Sequence, residues 1–145
     1  MNSGRIRALA LALIWRGDEL LLMEGDDPAK RQTFYRPLGG GVEFGERARD
    51  AVIREFAEEL GAELVNIRAL GTLENIFTFD GAPGHEIILL FEAEFADNTL
   101  YARDDLVIIE PNAGLPIAWK RLADLTAETP LYPDGLSGLL ARHSR

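Results

Sequence analysis

The sequence predicts an α/β sandwich built on a mixed β-sheet. Extended segments outnumber helices along its 145 residues. The clearest helical pattern, Arg47 to Leu60, is flanked by strands. Ile87-Ile88-Leu89-Leu90-Phe91 is apolar on both faces, as a strand in the middle of a sheet would be.

The elements follow from the chain in order. Residues 6–15 alternate leucine with alanine and run into a turn at Arg16–Glu19, which predicts a hairpin with the apolar run Leu20–Met23. Arg5 and Arg7 ahead of this run give it a superficial likeness to a secretory leader. Its end at Arg16 and its passage through Gly17-Asp18 into a second apolar run favour strand, tight turn and strand instead. Asp26–Gln32 reads as polar loop; Phe34-Tyr35-Arg36 leads to Pro37 and the glycine cluster Gly39-Gly40-Gly41 and Gly45. The helix from Arg47 to Leu60 stops at Gly61 in the C′ position. Ala62–Leu70 and Gly71–Phe79 read as two short extended segments, Asp80–Gly84 as a turn and His85–Phe95 as the strongest strand. Trp119–Leu125 and Pro133–Leu140 read as one or two short helices. With no repeat, low-complexity stretch or linker, residues 1–145 are expected to form a single domain.

Composition narrows the chemistry. There is no cysteine, which excludes a disulfide scaffold, thiolate catalysis and a cysteine-based zinc site. It is compatible with a reducing cytoplasm, the expected location. No apolar run approaches the roughly 20 residues of a membrane-spanning helix. The net charge of −9 makes the protein a poor non-specific binder of nucleic-acid polymers, because it lacks the cationic surface that releases counterions. A polyphosphate ligand would need its charge offset, and a divalent metal would do so.

Glu55, Glu58 and Glu59 stand at i, i+3 and i+4 on the helix, so they project from one side of it. Ala48, Val52, Phe56 and Leu60 form the adjoining apolar stripe, which places the acids at the edge of the buried face. Like charges so spaced repel by roughly 0.2–0.5 kcal/mol on an open helix, and by more when partly desolvated. Alone, the pattern is most simply a solvated acidic face. The glycines upstream permit close backbone approach to a ligand, and Glu46 stands at the helix entrance, where a carboxylate suits the dipole. Oxygen donors with no histidine or cysteine nearby point to Mg²⁺, with Mn²⁺ the alternative.

Gly40, five residues, Glu46, seven residues, then Arg54-Glu55-Phe56-Ala57-Glu58-Glu59-Leu60-Gly61 resembles the Nudix box, here covering Gly40–Ala62. Phe56 stands where a large aliphatic residue is usual, and Ala62 is smaller than the usual closing aliphatic. The resemblance implies an α/β/α sandwich with a central mixed β-sheet and an enzyme that hydrolyses a phosphoanhydride with Mg²⁺. It implies Glu55 and Glu59 as metal ligands, Glu58 as a further ligand, and the Gly40 carbonyl completing the set. Glu46 would be an outer ligand or support the others, and Arg54 would hold a glutamate in position. Glu55 is the first candidate for the general base, with Glu110, Glu92 and Glu94 behind it.

For substrate, Arg36 beside the glycines is a candidate phosphate ligand, with Gly39 at the same turn. Tyr35, Phe77 and Phe79 are candidates to stack on a base, against a simpler role in core packing. Glu110 is a loop acid able to close over a site. His85 and Glu86 open the long strand, and a lone histidine there is more often structural. The expected partner is a small nucleotide. A nucleoside triphosphate or related compact nucleotide leads; ADP-ribose or a dinucleoside polyphosphate is the alternative. A non-catalytic nucleotide-binding domain is the rival from another class. The resemblance also admits a homodimer.

Overall fold

In the computed structural model, residues 4–110 and 113–142 are described. The elements run β1 (Ile6–Leu13), β2 (Trp15–Arg16), β3 (Glu19–Asp27), β4 (Gln32–Arg36), β5 (Leu38–Gly41) and α1 (Ala48–Leu60). Then follow β6 (Leu64–Phe79), β7 (Ala82–Phe95), β8 (Ile117–Arg121) and α2 (Leu136–Arg142).

The leucine–alanine alternation of β1 sets the layers. Ala10 and Ala12 face α1, where Val52 and Phe56 come down onto the sheet; a small side chain there lets the helix approach closely. Leu9, Leu11 and Leu13 face the other way and pack with Leu136, Leu139 and Leu140 of α2. Each fully buried leucine contributes roughly 1.5–3 kcal/mol of apolar transfer. The result is the expected mixed-sheet sandwich. The main sheet has the order β5-β1-β7-β6, with β1 parallel to β7 and the other pairs antiparallel. A second sheet joins β2, β3 and β4, with β8 on β3.

Helix α1 begins at Ala48, with Arg47 as its N-cap, and ends as its sequence predicts. Gly61 is left-handed, with φ of 64°, and its N–H and that of Ala62 close on the carbonyls of Ala57 and Phe56.

Several elements differ from the sequence reading. The glycine cluster is not a loop: Leu38–Gly41 is β5, laddered onto β1, and the loop begins after it. The polar Asp26–Gln32 stretch belongs mostly to a hairpin, with β3 and β4 pairing as far as Asp27 and Gln32. The first hairpin joins β3 only to the two-residue β2, while β1 itself lies in the other sheet. Ala62–Leu70 and Gly71–Phe79 fuse into one strand whose register slips between Val65 and Arg68 and again between Ala69 and Gly71; such irregularities interrupt the period of two that marks a strand. Its turn is only Asp80-Gly81, with φ of 50° and 79°, because Phe79 already pairs with Ala82. A two-residue Asp-Gly turn with both φ positive matches the twist of a hairpin. Trp119 lies in strand β8, not a helix: Ile117 and Trp119 are buried alternately, and the basic residues after them disguised that period. Among the described residues no helix is long and apolar enough to cross a membrane.

Candidate active site

Arg54 is the hub of the acidic cluster. Its Nε and Nη2 donate to the two oxygens of Glu46 at 2.9 and 3.0 Å, a planar two-pronged pair. Nη2 also donates to the Gly41 carbonyl at 3.0 Å, and Nη1 to Glu55 at 3.0 Å and Glu58 at 3.3 Å. Hydrogen bonds from Arg54, together with the Glu43 N–H, hold the Glu46 carboxyl down at about 2. The Arg54 guanidinium is correspondingly raised, Glu46 being the largest cause.

Glu59 has a different environment. It lies among the buried residues of α1 with Val52 and Phe56, and is only 7% exposed. Its Oε1 is buried with no hydrogen-bond partner. Burial, reinforced by the charges of Glu55 and Glu58, pushes its carboxyl up to about 8; Arg36 and a hydrogen bond from the Gly39 N–H pull the other way. The Glu55 carboxylate sits against Gly40, where a Cβ would collide with it. Gly39 adopts φ of 144°, and a Cβ there would strike the Ala10 carbonyl.

Among the described residues, no three acidic or imidazole side chains converge closely enough to form a closed metal cage. The donor set nonetheless fits a hard divalent cation. The donors are all oxygen, an unpartnered buried carboxylate oxygen stands among them, and the absence of a side chain at Gly40 lets the Glu55 carboxylate lie against the strand backbone.

A cleft of about 780 Å³ is lined by none of these acids and includes Leu9 and Leu11, on the β1 face away from α1. It brings together Arg36, Phe77, Phe79, His85 and Glu86 from the sequence reading. The side-chain Nε of Arg36 is buried without a partner, and burial lowers its guanidinium against the opposing pull of Glu86 and Glu59. Arg36 thus feels the acidic helix from within the cleft. Tyr35 is elsewhere: it is buried in the α2-side core and donates its hydroxyl to Glu24 at 3.1 Å. Glu92 and Glu94 do not line this cleft either; Glu92 accepts from Trp15 Nε1 at 3.0 Å and from Arg68, and Glu94 accepts from Asn66. Glu110 is exposed and outside the cleft, although its neighbour Ile109 donates its N–H to the Glu59 carbonyl at 2.7 Å.

The sequence reading missed Arg7, Asp27, Lys30, Phe34, Asn75 and Tyr132, which also line the cleft. The alternation of β1, which puts Arg7 on the face of Leu9 and Leu11, was a usable signal for the first. Tyr132 lies 100 residues from Gln32, to which its hydroxyl donates at 2.9 Å, and local pattern carries no sign of such a contact.

The NUDIX domain pattern matches residues 5–134. The chain belongs to the Nudix family. Among its curated Nudix relatives are the NAD-capped RNA hydrolases NudC of Pseudomonas putida W619 and Pseudomonas fluorescens Pf-5. They are 34% identical over 133 residues and 36% identical over 101 residues, covering 92% and 70% of this chain. The chain spans only 41% and 34% of those relatives' length. The Nudix fold is shared with a MutT NUDIX hydrolase from Burkholderia pseudomallei, at a TM-score of 0.68 and 23% identity over 97% of this chain and 99% of that one. A NUDIX hydrolase from Nitrosomonas europaea superposes with a TM-score of 0.66 at 17% identity, over 96% of this chain and 88% of that one.

Proposed function

We propose that this Nudix protein is a Mg²⁺-dependent pyrophosphohydrolase that cleaves the phosphoanhydride of a nucleoside diphosphate joined to a further group. The observation that carries the reading is the buried, unpartnered Oε1 of Glu59, which feels the charges of Glu55 and Glu58 and that of Arg36, itself a wall residue of a cleft lined by aromatic side chains.

In this reading Glu55 and Glu59 would hold the metal, with Glu58 and the Gly40 carbonyl as further ligands and Mn²⁺ as a substitute ion. Bound there, the metal would neutralise phosphate charge and acidify a water molecule. Arg54 fixes Glu46, Glu55 and Glu58 in their places through its fork of donors. Glu55 takes the proton of the attacking water, with Glu58 as the alternative acceptor. The water oxygen bonds to phosphorus as the bridging P–O bond breaks, leaving two phosphate-bearing products. Arg36, on the cleft wall, would meet the phosphates, with Gly39 hydrogen-bonded to Glu59 behind it, and Phe77 and Phe79 would offer rings to a base. Glu110, exposed and outside the cleft, is a weaker candidate for substrate contact. Absence of cysteine is in keeping with a cytoplasmic enzyme.

A compact nucleoside triphosphate satisfies the phosphate half of the cleft. The four aromatic residues lining it, Phe34, Phe77, Phe79 and Tyr132, favour a second reading in which the further group carries a ring of its own. The relatives named as NAD-capped RNA hydrolases support that reading too. Turnover of nucleoside triphosphates, ADP-ribose, a dinucleoside polyphosphate, NAD and NAD-capped RNA, with products identified by mass, separates them. A nucleoside monophosphate among the products supports the reaction class; no turnover of any compound with Mg²⁺ or Mn²⁺ contradicts it.

A further inference from the structure

Asp27 is 3% exposed, and its side chain is where two hairpin tips meet. Its Oδ1 accepts the backbone N–H groups of Ala29 at 3.1 Å and Lys30 at 3.2 Å, both in its own turn between β3 and β4. The same oxygen accepts the N–H of Asp80 at 3.0 Å, from the turn between β6 and β7. Its Oδ2 lies 3.8 Å from Lys30 Nζ. The two hairpins belong to different sheets, so no backbone ladder joins their tips.

Those tips carry the aromatic wall of the cleft. Phe34 of β4 and Phe79 of β6 meet edge to face, with centroids 6.2 Å apart and planes at 87°. Phe34 also leans on Tyr132 at 5.3 Å, and Lys30 Nζ stands 5.9 Å from the Tyr132 ring centre. Hydrogen bonds to an ionised acceptor are about twice as strong as neutral ones. One buried carboxylate therefore links the tips that carry two rings lining the cleft from separate sheets.

We infer that Asp27 is a positioning residue for substrate: by tying the β3–β4 tip to the β6–β7 tip it sets the spacing of Phe34 and Phe79 and so the affinity for the ring the substrate carries. The inference rests on the proposed function only in assigning that cleft to the substrate. Asp27 touches none of the acidic cluster that surrounds Arg54, so its loss is expected to act on KM and leave kcat alone.

The test compares wild-type, Asp27→Asn and Asp27→Ala proteins by steady-state kinetics on the best substrate and by amide hydrogen exchange. Removing an acceptor shared by three donors is expected to raise KM by about tenfold in Asp27→Ala, with kcat within about twofold. Asp27→Asn keeps an acceptor oxygen and serves as the test if Asp27→Ala does not fold; its KM is expected to fall between those of wild type and Asp27→Ala. The Asp80 amide is expected to be protected from exchange in wild type and to exchange faster in both variants. An Asp80 amide unprotected in the wild-type protein overturns the clamp whatever the kinetics show. So does an unchanged KM, or a kcat loss equal to the KM effect, in a folded variant. If the wild type turns over no nucleotide, the proposed function fails first, and the exchange data still decide whether the clamp exists.

Discussion

The Glu55 carboxylate lies so close over Gly40 that a Cβ at that position would overlap it. A side chain at position 40 would therefore fit only with the Glu55 carboxyl moved aside. Gly40→Ala is expected to displace the Glu55 carboxyl with little loss of stability, because the group displaced is the end of a flexible side chain, and to lower activity by roughly 10–100-fold, as disturbing the support of a metal ligand does. Thermal unfolding and kcat measured together check it. A variant with wild-type kcat would mean that the position of Glu55 is unimportant.

Arg54 satisfies three glutamates and a carbonyl with one planar fork, and lysine offers only a point charge. Arg54→Lys is expected to fold and to lose about 10–100-fold in activity or metal affinity. Metal titration by calorimetry beside kinetics shows which, and a variant unchanged in both removes Arg54 from the machinery.

The Glu59 carboxyl, raised to about 8, gives a signed dependence on pH. In the unfolded chain a glutamate titrates near 4.3. Folded protein therefore holds this proton more tightly, and the stability linked to it is fully present below that unfolded value and is lost as pH rises through about 8. Between pH 6 and 8.5 the metal-free protein is expected to lose stability relative to Glu59→Gln. Mg²⁺, which requires the ionised carboxylate, is expected to reverse the trend and to release a proton on binding near neutral pH. Denaturant melts across that range, with and without Mg²⁺, check the sign; parallel curves for wild type and Glu59→Gln would contradict it.

Phe77 pairs across the hairpin with Gly84, and a Cβ on Gly84 would collide with its ring. Gly84→Ala is expected to lift Phe77 and raise KM by about threefold to tenfold, the range of one aromatic contact, with kcat little changed. Nucleotide binding followed by calorimetry gives the same quantity without turnover.

The acidic cluster was legible in sequence because a helix maps spacing onto a face: Arg54, Glu55, Glu58 and Glu59 cannot be far apart once residues 48–60 are helical. The layers were legible in the alternation of β1 for the same reason. Which of the acids is buried was not. Glu59 falls among the core residues because Ile109 and the β5 glycines close over the end of α1, and both contacts are long-range. The cleft was legible least. Phe34, Phe79 and Tyr132 come from three distant segments, and Asp27 joins them through the backbone of a turn whose own sequence says only that it is a turn. Strand β8 was misread because its basic residues masked a buried period of two.

The most direct test of the account is Mg²⁺-dependent turnover of the nucleotide panel by wild type and Glu59→Gln, a substitution that keeps the shape of the side chain and removes its charge. The account predicts a nucleoside monophosphate product from the wild type with Mg²⁺ and none with chelator, and activity in the folded variant reduced by at least about 100-fold. Wild-type rates in Glu59→Gln, or turnover indifferent to Mg²⁺, would contradict it.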